Sequence, residues 1–144
     1  MMQKAYIDTN IFDYVVLRHE IYGKVCKEIL DDIGSELNAY CSFLVPIEIL
    51  GSLSEIDIDM AFKALSTFFS FKLTLIEIGS NLLLESGKIM KSAKISGYDA
   101  VHVAAMKREN IHTIITENYK DFKKIPRINI VRPLNYKKWK ENLK

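Results

Sequence analysis

Four separated points of this 144-residue chain carry an acid or amide where a strand-like run ends or a helix-like run begins. Asp8 and Asn10 follow Ala5-Tyr6-Ile7. Glu48 is the one ionisable group in Val45-Pro46-Ile47-Glu48-Ile49-Leu50. Asp99 precedes Ala100-Val101-His102, and Glu117 and Asn118 follow Ile114-Ile115-Thr116. Side chains so distant in sequence meet only if the fold gathers the junctions, as a parallel α/β sheet does at the carboxyl ends of its strands. Carboxylates gathered in one cleft repel each other unless a hard cation neutralises them. The pattern therefore points to a divalent metal and to chemistry on a phosphate ester.

Each position also has a simpler use. Asp8 or Thr9 can cap a helix beginning near Ile11, Asp99 gains from the positive end of its helix, and Thr116-Glu117-Asn118 can be a polar turn. Two features favour function. Asp8 follows a strand that reads as buried, where a lone carboxylate is costly, and Glu48 has only apolar neighbours. His102, three residues after Asp99, shares its helix face. It is expected to be hydrogen-bonded and partly buried rather than a ligand, because hard cations prefer oxygen. His19 and His112 read as surface or strand-edge residues. Cys26 and Cys41 lack metal-site spacing and read as packed thiols.

The elements that must position these groups follow from periodicity. Residues 3–7 read as a buried strand, and Ile11 to Leu17 and Ile21/Val25/Ile29/Ile33 as two helices. Tyr40 to Phe43 reads as a second strand. Pro46 suits the first turn of a helix through Glu48 that ends near Gly51. Asp57 or Asp59 starts the next helix, predicted to be strongly buried through Met60, Phe62, Ala64, Leu65, Phe68 and Phe69. Leu73 to Ile78 alternates like a strand. Ser80 or Asn81 caps a helix to about Ile95, with Lys88, Lys91 and Lys94 along one side. Ser96-Gly97 breaks it before a helix from Tyr98 to Arg108. Strands at Thr113 to Thr116 and Ile128 to Val131 precede an amphipathic tail from Tyr136 to Leu143. This alternation implies an α/β fold, with a mainly parallel sheet covered by helices on both faces.

Length and composition indicate one domain over residues 1–144, with 49% apolar residues, no low-complexity linker and no signal-peptide pattern. An intracellular, cytoplasmic protein without a membrane segment is expected. The net charge of +2 conceals an asymmetry. Residues 120–144 hold nine Lys/Arg against two acids, a net +7, whereas the first 119 hold 11 bases against 16 acids, a net −5. An acidic body with a basic tail segment suits a nuclease whose acids hold metal and whose bases hold a nucleic-acid backbone; a Lys-rich solvated surface gives the same count.

Taken together, Asp8-Thr9-Asn10, Glu48, Tyr98-Asp99-Ala100-Val101-His102-Val103-Ala104-Ala105 and Ile115-Thr116-Glu117-Asn118 ahead of Asp121-Phe122 resemble the PIN-domain ribonucleases, particularly VapC-type toxins and their archaeal relatives. The resemblance covers nearly the whole chain and implies a single PIN-like domain. Asp8, Glu48 and Asp99 match the family's metal-binding carboxylates, and Thr116 its hydroxyl at the strand end. Asn118 stands where relatives often have Asp. Glu117 or Asp121 then substitutes as metal ligand, or Asn118 acts through a water.

The resemblance further implies one or two Mg²⁺ or Mn²⁺ ions and hydrolysis of RNA, with a cognate antitoxin and a homodimer as partners. Asn10, Lys88, Lys91, Lys94 and the basic tail are the candidate substrate-binding groups. Tyr136 and Trp139 either stack on bases or dock the tail, docking being the expected use. Three rival readings are a PIN-like module that binds RNA or protein without cutting, a housekeeping RNA-processing nuclease, and a phosphatase with Asp8 as nucleophile. The phosphatase is disfavoured because Asn10 stands where its general acid belongs.

Overall fold

The computed structural model describes residues 2–143; Met1 and Lys144, the last base of the basic segment, lie outside them. Strands β1 (Gln3–Ile7), β2 (Leu37–Ser42), β3 (Thr74–Ile76), β4 (Thr113–Ile115) and β5 (Asn129–Val131) form one sheet in the order β3-β2-β1-β4-β5. Every pairing is parallel. The chain starts in the middle, lays β2 and β3 to one side, then crosses to add β4 and β5 on the other. Tyr6 of β1 is in register with Tyr40 of β2 and with Ile114 of β4. The β1/β4 seam is thus the point where strand order reverses, and ligands of open α/β sheets bind in the crevice there.

Consecutive residues Ala5, Tyr6 and Ile7 are wholly buried, so helices cover both faces of the central strand. Those helices are α1 (Thr9–Val16), α2 (Gly23–Asp31), α3 (Leu44–Ser54), α4 (Ile58–Phe68), α5 (Ser80–Ala93), α6 (Gly97–Arg108), the short α7 (Tyr119–Phe122) and α8 (Tyr136–Asn142). In α6 every residue from Ala100 to Met106 is buried. Small side chains on this helix permit the close approach that the sequence led us to expect. Phe12 and Phe68 close the α1/α4 side edge to face, with ring centroids 5.1 Å apart.

Several elements depart from expectation. Helix α4 is amphipathic, not buried throughout: Ala61, Ala64 and Phe68 form its inner stripe, while Phe62 and Phe69 are 69% and 50% exposed. Both exposed rings lie one residue beyond an inner position, a turn of about 100° around the helix. Strand β2 begins earlier, at Leu37, because Asn38 pairs with Lys4 at the sheet's amino end. Strand β3 shortens to Thr74–Ile76 at the sheet edge. Helix α5 starts after Gly79 and stops at Ala93, where Lys94 turns left-handed (φ 57°) and so leaves the line of Lys88 and Lys91. Helix α7 was not anticipated, being too short for periodicity to register.

The tail docks as expected. Tyr136 is buried, and its hydroxyl donates to Asp32 Oδ2 at 2.6 Å, the same oxygen that Lys140 Nζ reaches at 2.9 Å. Trp139 packs beside Tyr136. Both cysteines are buried thiols. Burial is the main cause that pushes Cys26 up to about 12 and Cys41 well above the ordinary thiol range. No described helix is long and apolar enough to cross a membrane.

Candidate metal centre

Asp8 is the first residue past β1, and its backbone N–H still pairs with Ile115 O of β4 at 3.1 Å. It caps α1, with Oδ1 accepting the Thr9 N–H at 2.8 Å. The capping and functional uses therefore coincide in one side chain. Oδ2 accepts the Thr116 hydroxyl at 2.7 Å across the seam and, at 3.4 Å, the Asn10 amide. Asn10 also donates to Thr116 Oγ1 at 3.1 Å and accepts the Glu117 N–H at 3.4 Å. Its amide braces the two strand ends against each other, a structural task distinct from the substrate contact expected of it.

Glu48 enters from the fifth residue of α3. Its Oε1 accepts the Thr9 hydroxyl at 2.7 Å and lies 2.7 Å from His102 Nε2, which is also 3.6 Å from Asp8 Oδ1. One turn further along both helices, Ser52 donates to Asp13 Oδ2 at 2.7 Å, giving α1 and α3 a second hydrogen-bonded rung. Donor atoms of Asp8, Glu48 and His102 all lie within 4.8 Å of one another, a spacing a single cation can bridge. Asp99, in the first turn of α6, is half-buried, and its N–H donates to the capping Ser96.

The electrostatics show what these groups sense. Burial and the Asp8 charge raise the Asp99 carboxyl above its ordinary value, with a further push from Asp121. Burial alone would raise Glu48 too, but the His102 hydrogen bond and charge, with the Thr9 hydroxyl, hold it below. Burial alone would lower His102, yet the Glu48 hydrogen bond and the charges of Asp8, Glu48 and Asp99 hold it above. Asp13 is pushed up to about 6, mainly by burial and then by the Glu48 and Asp8 charges, which the Ser52 bond opposes. Its Oδ1 is buried with no hydrogen-bond partner among the described residues.

The three candidates for the fourth acidic position separate. Glu117 turns its carboxylate to Arg132, whose Nε donates at 3.0 Å, and its charge is felt by Tyr14 and Cys26 of α1 and α2. Asn118 donates its backbone N–H to Thr116 Oγ1 at 3.0 Å. Asp121, in α7, acts on Asp99. Lys88 and Lys91 are exposed on α5, opposite the buried Leu82, Ser86 and Ile89, and Lys94 is exposed at its end.

Sequence reasoning missed Tyr6, Thr9, Ser42 and Asp13. Tyr6 had a signal, since residue i−2 on a strand shares a face with residue i, here Asp8. Ser52, four residues past Glu48 on the same helix face, was the corresponding signal for Asp13.

The chain belongs to the PIN domain family, whose model matches residues 5–128. No curated protein matches it. Among solved structures, VapBC2 from Rickettsia felis, bound to a DNA fragment from its promoter, matches with a TM-score of 0.68 at 21% identity, over 90% of this chain and 98% of that one. VapBC-1 from nontypeable Haemophilus influenzae gives 0.68 at 18% identity, over 92% and 99%. The sarcin-ricin-loop-cleaving toxin VapC20 of Mycobacterium tuberculosis gives 0.66 at 14% identity, over 76% and 86%. These likenesses establish the fold.

Proposed function

We propose that the protein is a metal-dependent endoribonuclease, the toxin of a toxin–antitoxin pair acting in the cytoplasm. The observation that carries this reading is the meeting of Asp8 and Glu48 beside Asp99 at the sheet's switch point. The donor set fits a hard cation: two of the three gathered donors, Asp8 and Glu48, are carboxylates, and burial together with the Asp8 charge raises the Asp99 carboxyl. Asp8, Glu48 and Asp99 would hold Mg²⁺ or Mn²⁺, with Asp121 completing the acidic rim. When bound, the ion supplies Lewis acidity toward a phosphodiester and acidifies a nearby water.

The chain's own residues do the positioning. Thr116 and Asn10 orient Asp8, and Thr9 and His102 orient Glu48. Exposed Lys88, Lys91 and the bases of residues 120–143 would hold substrate phosphates. RNA is favoured as substrate because VapC20, of the same fold, cleaves the sarcin-ricin loop. A protein partner is favoured by the VapBC complexes of that fold and by an apolar groove of about 560 Å³ lined by Phe12, Val16, Met60, Ala64 and Phe68. Exposed Ile47, Leu83, Met90 and Tyr98 on α3, α5 and α6 line a second apolar face suited to a homodimer.

Purified protein with Mg²⁺ or Mn²⁺ should cut some RNA in a broad panel. EDTA and Asp99→Asn should each abolish cleavage while RNA binding persists. Binding without cutting under both metals would instead mark a binding module, and phosphate trapped covalently on Asp8 a phosphatase.

A further inference from the structure

Beneath the carboxylates the His102–Glu48 contact continues into a buried chain of hydrogen bonds through Tyr6 to Ser42. Tyr6 and Asp8 share one face of β1 because strand side chains alternate, and Asp99 and His102 share one face of α6 at a spacing of three. Strand and helix therefore meet in two layers, the acids above and Tyr6 with His102 below. Tyr6 and His102 are 0% and 1% exposed. The Tyr6 hydroxyl lies 2.6 Å from His102 Nδ1 and 2.8 Å from Ser42 Oγ, and accepts the Ser42 N–H at 3.1 Å. The rings meet edge to face at 5.4 Å. Every polar atom of the Tyr6–His102 pair has a partner, so the imidazole has one orientation.

That orientation aims Nε2 at Glu48 Oε1, 2.7 Å away. A carboxylate at that distance accepts, so Nε2 carries the hydrogen and has no lone pair to offer a cation. The Thr9 hydroxyl lands on the same oxygen. Both donors thus take Oε1, and Oε2 keeps its lone pairs.

We propose that Tyr6 and His102 are positioning residues that fix Glu48 through Oε1 and so present Oε2 to the metal, His102 itself not being a ligand. The inference rests on the metal-dependent reading above. Hydrogen-bond partners of ligating groups commonly set metal affinity by about 10–100-fold when removed.

The test is calorimetric titration of Mn²⁺ into the full chain and three variants, with thermal melts confirming that each folds. Tyr6→Phe deletes one hydroxyl and should weaken Mn²⁺ about ten-fold, and His102→Leu at least as much. His102→Gln, whose amide N–H can replace Nε2 toward Glu48, should recover most of the affinity. Long-range ¹H–¹⁵N spectra of the wild type should show the Nε2 proton retained when Mg²⁺ saturates the site, which needs no variant to fold. An Nε2 proton lost on Mg²⁺ binding, or His102→Gln as harmful as His102→Leu with Tyr6→Phe unchanged, would make His102 a ligand and overturn the proposal. Wild-type affinity in all three variants would overturn it too, leaving the metal reading intact. A wild type that binds neither ion would remove the metal reading, and this inference with it.

Discussion

The Thr116 hydroxyl donates to Asp8 Oδ2 at 2.7 Å across 108 positions of sequence. The bond joins the carboxyl ends of β1 and β4, and it fixes one Asp8 oxygen while the Thr9 N–H fixes the other. Asp8 is therefore held by neutral donors, and the charge it retains is felt by Asp99 and His102.

Relief of that charge gives the first prediction. Asp99→Asn should melt at the same or a higher temperature than wild type without metal, since burial and Asp8 already disfavour the ionised form. Mn²⁺ affinity should fall sharply in Asp99→Asn and Asp8→Asn. Calorimetric titration reads it, and unchanged affinity in both would remove these carboxylates from the site.

A second prediction concerns the fourth acid. Asp121→Asn should weaken metal binding and slow RNA cleavage by roughly ten-fold or more, because Asp121 acts on Asp99. Glu117→Gln should leave metal affinity near wild type and change stability little, since its partner Arg132 is exposed to solvent. Cleavage rates across a Mn²⁺ titration separate the two, and the reverse ranking would return Glu117 to the pocket.

Asp13 makes stability depend on pH in the direction opposite to a salt-bridged carboxylate. Its folded value of about 6 stands above its ordinary 3.8, so between these values the folded chain binds more protons and stability falls as pH rises. Asp13→Asn keeps an acceptor for Ser52 and removes this cost. Its melting temperature should exceed wild type by roughly 3 °C at pH 7.5 and match it near pH 4. A gain of equal size at both pH values would show that packing, not charge, is responsible.

The tail supplies a fourth prediction. Asp32 Oδ2 holds both Tyr136 and Lys140 to the end of α2. Asp32→Ala should cost about 1–3 kcal/mol by leaving the buried Tyr136 hydroxyl unpaired. Amide exchange should then quicken in α8 while β1 stays protected.

The positions where one side chain announces its environment were legible in the sequence. Asp8 after a buried strand, Glu48 amid apolar neighbours and the small-residue run of α6 all led to the right elements, and the PIN family and parallel sheet followed. What stayed hidden depended on geometry between elements. Whether Glu117, Asn118 or Asp121 turns toward Asp99 is set by the few residues of turn after β4, where strand alternation has ended. Phe62 and Phe69 read as core because aromatic type outweighed the helical angle separating them from Phe68. Tyr6 was passed over because a tyrosine inside a buried strand looks like packing until its hydroxyl is seen against His102.

The central place of β1 also fixes the order in which the site is assembled as the chain is made. The strand bearing Asp8 is made well before its neighbour β4 and the Thr116 hydroxyl, which come from residues 113–116, and before Asp99 of α6. A nascent chain stopped short of residue 99 holds Asp8 and Glu48 alone, without Asp99, His102 or the seam that orients them. Splitting the site between β1 and β4 leaves Asp8 without its seam partners until the intervening residues have been made.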